Sequence, residues 1–170
     1  KQSGMTTGRV GIVDIGWRGT IQDNIALLLP NTNLHGLYLG LRKFINVQPS
    51  NTDKVAYGPD ENKFRAEISM YSNFAIMEWL CSSVNGSVLG YCMHDGCAKP
   101  RRYVDQAENT AFDEFVGPFQ QGVLIAAQHW QLYLERYAVS SKELHTVALH
   151  LWDKLSKEPD EGLVDVYMRT

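Results

Sequence analysis

Strand, helix and strand follow one another between Arg9 and Leu41, and that order restricts the fold more than any other feature of the sequence. "RVGIVDI", Arg9–Ile15, is a short apolar run rich in β-branched residues and bounded by glycine, which reads as a buried strand. From Thr20 to Leu29 the apolar residues Ile21, Ile25, Leu28 and Leu29 recur at helical spacing, so they are expected to form the inner face of a helix. Pro30 stops that helix and "NTN" turns the chain. "LHGLYLGL", Leu34–Leu41, returns as a second strand. A helix between two strands predicts a parallel pair joined by a right-handed crossover.

The remainder is expected to be less regular in the middle and helical at the end. Residues 1–8 are polar, small and expected to be mobile. Gln48–Asn62 is turn-rich and reads as a surface excursion. Ser72–Cys81 has helical spacing, Gly86–Gly96 reads as a strand and turn, and Cys97–Val104 as its hairpin partner, with Pro100 arguing for an edge. Phe112–Tyr137 carries Phe115, Phe119, Val123, Ala126, Ala127, Trp130 and Leu134 at spacings of three and four. Gly117-Pro118 divides it, with Pro118 near the start of the longer piece. Ser140-Ser141 caps a last helix to about Leu155, with Leu144, Val147, Ala148, Leu151 and Leu155 as its inner stripe. The fold class expected is α/β: a small Rossmann-like, mostly parallel sheet in residues 9–104 and a mainly helical part, 112–170. Together they make one domain, 1–170. The chain opens on Lys1 rather than Met and is expected to be part of a larger protein.

Charge and cysteine use narrow the partners. A net charge of −3 and the lack of a basic block argue against a nucleic-acid scaffold. Apolar runs such as Ile25–Pro30 are too short to span a bilayer. Cys81, Cys92 and Cys97 cannot all pair, which points to a reducing cytoplasm. "CMHDGC" with Cys81 offers four soft ligands, but not at zinc-finger or zinc-ribbon spacing, and no metal is assigned to it.

The junction "DIGWRGTIQ" carries the candidate site. Asp14 falls at the carboxyl end of the first strand, where open α/β sheets bind ligands. Gly16 and Gly19 allow a tight turn that exposes backbone N–H groups, and Thr20 begins or caps a helix whose amino end attracts anions. Arg18 can add charge-assisted hydrogen bonds, Trp17 a stacking face, and Gln22 lies in the first turn near the same opening. Asp14 would repel a phosphate, so it is assigned to a sugar hydroxyl or a bridging divalent cation such as Mg²⁺. A turn of this kind also forms without a ligand: glycines turn, Thr20 caps, Trp17 packs and Asp14 accepts bonds from the turn. No G-K-[ST] makes it a Walker A loop, and G-x-x-G is not the dinucleotide fingerprint. Glu78, on its own helix, is a further acid/base candidate beside Asp14. His94-Asp95 reads as a polar turn, Arg101-Arg102 as solvated charge, and Trp130, Tyr133 and Tyr137 as an aromatic stripe of core or interface type.

"GIVDIGWRGTIQDNI" with "HGLYLGL", and more weakly "MEWLCSSVNGSVLGY" and "FQQGVLIAA", resembles the C-terminal region of large bacterial proteins described as predicted hydrolases of the haloacid dehalogenase (HAD) superfamily. Those proteins are associated with cell-surface polysaccharide biosynthesis. The resemblance touches most of residues 9–127 and implies an upstream HAD-like domain in the same protein. HAD chemistry uses D-x-D-x-[TV], and no D-x-D occurs in these 170 residues, so no catalytic residue carries over. Two functions are expected to compete. One is a module that binds a phosphorylated or nucleotide-linked sugar, within a hydrolase or a glycosyl or phosphoryl transferase. The other is a non-catalytic interaction or scaffold domain of a polysaccharide-assembly protein.

Overall fold

A computed structural model describes residues 8–63 and 74–169. The expected polar amino end, up to residue 7, and the expected helix start at Ser72 lie outside the described residues. In chain order the elements are β1 (Gly8–Asp14), α1 (Thr20–Leu28), β2 (Thr32–Tyr38), β3 (Thr52–Ala56), α2 (Ala75–Leu80), β4 (Val88–His94), β5 (Cys97–Arg102), α3 (Gln106–Ala111), a π-helical turn (Phe112–Val116), α4 (Gly117–Tyr137), α5 (Ser141–Lys157) and α6 (Glu161–Met168). The chain is thus mixed α/β, with a parallel sheet in front and a helical carboxyl half. It divides into two compact units, one of Lys1–Asn73 with Lys142–Glu158, the other of Phe74–Ser141 with Pro159–Thr170.

The first unit holds a three-stranded sheet in the order β1-β2-β3, parallel throughout, with Ile12 opposite Gly36 and Leu34 opposite Thr52. The strand–helix–strand order holds for β1, α1 and β2, although β2 runs Thr32–Tyr38 rather than Leu34–Leu41. β1 is not the buried strand expected: it is an edge strand with no buried residue, because among the described residues a partner strand lies on one side only. β3 corrects the reading of Gln48–Asn62 as a surface excursion. Its inward positions are Thr52, Lys54 and Ala56, so the alternation lacks the apolar partners by which a half-buried strand is recognised.

The face of α1 is also corrected. Its buried residues are Gln22, Asp23 and Ala26, whereas Ile21, Leu27 and Leu28 are exposed. The inner face is polar because Gln22 and Asp23 bond to β2 and β3 (below). The Asn51 amide closes the other end of α1, donating to the carbonyls of Ala26 and Leu29 at 3.1 Å and of Thr32 at 2.9 Å. On the opposite face of the sheet, Val13, Leu37 and Val55 lie side by side in register and are 83%, 45% and 39% exposed. In α5, which belongs to this unit, Trp152 and Ser156 are the buried residues and Val147 and Leu151 are exposed, so the apolar stripe expected there is not its inner face.

In the second unit β4 and β5 form an antiparallel hairpin closed by Asp95-Gly96. Both turn residues have positive φ, 50° and 73°, the pattern of a two-residue primed turn. Pro100 pairs with Tyr91 in a ribbon where either strand is an edge, as its lack of an N–H requires. Asp105 caps α3 by accepting from the N–H groups of Ala107 and Glu108 at 2.8 and 3.4 Å. Pro118 sits in the first turn of α4, as expected. The apolar spacing of α4 does not produce a buried face: none of its residues is buried, and Phe119, Val123, Trp130 and Tyr133 are all exposed. α6, which starts within "SKEPDEG" at Glu161, was not expected from the sequence; the Asp160 side chain caps it through the Gly162 N–H at 2.9 Å.

Candidate anion-binding loop

The β1–α1 loop is held by a ladder that continues past the strands. Leu39 N donates to Asp14 O at 3.1 Å, Gly40 N to Ile15 O at 3.2 Å and Arg42 N to Trp17 O at 2.6 Å. These bonds fix Asp14 at the carboxyl end of β1, half-buried and opposite Tyr38. Gly16 has φ 144°, and a Cβ there would lie 2.6 Å from the Gly40 carbonyl oxygen. Gly19, the N-cap of α1, is left-handed at φ 64°. A Cβ on it would sit 2.8 Å from the Lys54 side chain and 2.9 Å from the Tyr38 hydroxyl. Glycine is required at both places for conformation and for space.

No side chain caps α1. Its first intrahelical bond runs from Asp23 N to Gly19 O at 3.1 Å, so the N–H groups of Thr20, Ile21 and Gln22 have no acceptor within the helix. Thr20 is the first helical residue rather than the cap. The result is a row of amide donors at the carboxyl end of a parallel strand, with Asp14 beside it.

A buried polar network shapes this loop from below. The Tyr38 hydroxyl donates to Gln22 Oε1 at 2.8 Å, and Gln22 Nε2 donates to the carbonyls of Leu34 and Asp53 at 3.2 and 2.9 Å and to the Thr52 hydroxyl. Lys54 Nζ pairs with Asp23 at 2.6 Å, donates to Gln48 Oε1 at 2.7 Å and to the Arg18 carbonyl at 3.4 Å, and lies over the Phe44 ring. The side chains of Lys54 and Asp23 are 2% and 7% exposed, so the pair is cut off from water and its charges depend on each other. Burial, then the nearby carboxylates of Asp14 and Asp23, push the Tyr38 phenol up to about 12.

The residues singled out in the sequence are thus divided. Asp14, Gly16, Gly19 and Thr20 meet at the loop. Trp17 is there too, half-buried, and its ring makes a T-shaped contact with Trp152 of α5 at 5.9 Å. Arg18 Nη1 donates to the Lys43 carbonyl. Gln22 lies beneath the loop, 1% exposed, and not at its opening. Glu78 is exposed on α2, which belongs to the other unit. His94 and Asp95, read as a polar turn, lie at the hairpin tip, with His94 Nδ1 2.8 Å from Asp95 Oδ2.

The sequence reading missed Asp23, Tyr38, Gln48 and Lys54. Their one signal is Lys54 at an inward position of "TDKVA", visible only once that segment is taken as a strand. Compared with known proteins, the chain matches no family model and no curated sequence. Among the described residues no group of three or more His, Cys, Asp or Glu side chains is placed to hold a metal ion, and no helix is long and apolar enough to cross a membrane.

Proposed function

We propose that the first unit is a Rossmann-like module that binds a phosphorylated or nucleotide-linked sugar at the β1–α1 loop. The observation that carries this reading is the uncapped amino end of α1 at the carboxyl end of a parallel strand. The amides of Thr20 and Ile21 with the Thr20 hydroxyl take the phosphate. Asp14, repelled by that anion, accepts from a sugar hydroxyl or holds a divalent cation such as Mg²⁺ against the phosphate. One protein carboxylate with phosphate oxygens and water is an ordinary Mg²⁺ environment and needs no cluster of protein ligands. The resemblance to predicted HAD-like hydrolases of polysaccharide biosynthesis supports a sugar as the rest of the ligand and an upstream HAD-like domain, and the three cysteines support a cytoplasmic setting. Isothermal titration with inorganic phosphate and a nucleotide sugar tests this. Asp14→Asn is expected to weaken the nucleotide sugar with little change in melting temperature. A lower melting temperature with unchanged affinity would leave Asp14 only the task of bracing the turn.

A second reading, a non-catalytic interaction domain of a polysaccharide-assembly protein, is favoured by a different observation. α4 is 21 residues long and buries none of them, while Phe119, Val123, Leu124, Trp130, Leu132 and Tyr133 are exposed. Apolar surface of that extent marks a contact with another protein surface.

A further inference from the structure

The second unit contains a concavity of about 410 Å³ that is unrelated to the β1–α1 loop. Trp79 of α2 and Tyr167 of α6 form its aromatic side, Ser82, Ser83 and Ser87 line it from the α2–β4 loop, and Glu108 from the first turn of α3. Each part is held in place. The Trp79 ring stacks on Phe115 at 5.2 Å and 13°, and meets Tyr167 edge-on at 5.6 Å. The Gln120 amide donates to the carbonyls of Leu80 and Ser82, both at 2.9 Å, which pins the start of the serine loop. Tyr103 N donates to Ser87 O at 2.8 Å and Arg102 donates to the carbonyls of Asn85 and Gly86 at 3.3 Å, which pins its end. The Asp105 cap sets the turn that carries Glu108.

The lining has a definite chemical preference. Three hydroxyls both donate and accept, one carboxylate accepts, and two rigid rings offer apolar surface. Among the described residues no Lys, Arg or His lines the cavity, and its charged group is a carboxylate, which disfavours an anion. A ligand with many hydroxyls and an apolar C–H face meets each of these groups, and the volume suits a small molecule. We propose that this cavity binds a neutral carbohydrate, with Glu108 and the serines taking its hydroxyls and the Trp79–Tyr167 wall its C–H face. The proposal does not rest on the anion site, which lies in the other unit and takes a ligand of opposite preference.

The test is a ¹H–¹⁵N titration of the full chain with glucose, galactose, N-acetylglucosamine and a glucose tetramer at millimolar concentrations. The expected result is a saturable shift of the Trp79 indole N–H and the Ser82–Ser87 amides with at least one sugar, while inorganic phosphate leaves them in place. Glu108→Gln, on an exposed side chain, is expected to weaken that sugar about tenfold, the size of one hydrogen bond to a charged acceptor. Ser83→Ala should weaken it less. The proposal is overturned if no sugar shifts these signals saturably, if the shifts map to another surface, or if both variants bind as tightly as the parent chain.

Discussion

Gly36→Ala tests the buried network beneath the loop most sharply. Gly36 lies in the central strand, and a Cβ there would be 2.0 Å from Gln22 Oε1 and 2.5 Å from Tyr38 Cε2. Ordinary contact starts near 3.4 Å, so the Gln22 oxygen must retreat by about 1.4 Å. That movement breaks its 2.8 Å bond from Tyr38 or drags Nε2 away from its acceptors on β2 and β3. One buried polar group left without a partner costs about 1–3 kcal/mol, and overpacking a filled site costs a further ~1–3 kcal/mol. We therefore expect Gly36→Ala to destabilise the protein by about 3 kcal/mol in urea titrations followed by circular dichroism. The melting temperature should fall by roughly 6–12 °C. Gln22→Ala removes the obstructing oxygen, so Gly36→Ala should cost much less in that background, with a coupling of at least ~1 kcal/mol. A Gly36→Ala protein within about 0.5 kcal/mol of the parent, or strict additivity in the double variant, would refute the reasoning.

Lys54→Met leaves Asp23 buried and uncompensated and should cost about 3–5 kcal/mol, and adding Asp23→Leu should recover most of it; paired urea titrations check this. Tyr38 is held above its unfolded value of 10.0, at about 12, so its contribution is complete below about pH 10 and is lost as pH rises to about 12. Because partial hydration discounts a shift of this size, the parent should lose about 1–2 kcal/mol more than Tyr38→Phe across that window, read as the difference in urea midpoints.

The front of the fold was legible because β1 and β2 are apolar runs around a segment with helical period. The face of α1 was not, since a period fixes which residues share a face but not which face goes inside. Gln22 and Asp23 are inward because acceptors and a lysine await them on strands distant in sequence. β3 was hidden for the same reason, its inward Lys54 being acceptable only beside Asp23. In α4 the apolar repeat suggested a buried face, and none of its residues is buried, because periodicity alone does not say what packs against a stripe. At the site, Asp14 and the two glycines were legible as a strand-end turn. The packing partner of Trp17, Trp152, was not legible because it lies 135 positions further along the chain.

The proposed site is tested most directly by following backbone amides while inorganic phosphate, and then a nucleotide sugar, is added to the full chain. Binding at the amino end of α1 predicts that Gly19, Thr20 and Ile21 move most and saturate with both ligands, and that Asp14 responds to the nucleotide sugar. Largest shifts among the residues at the other end of the sheet, such as Arg9, Asn33 and Asn51, or no saturable shift at the loop, would contradict it.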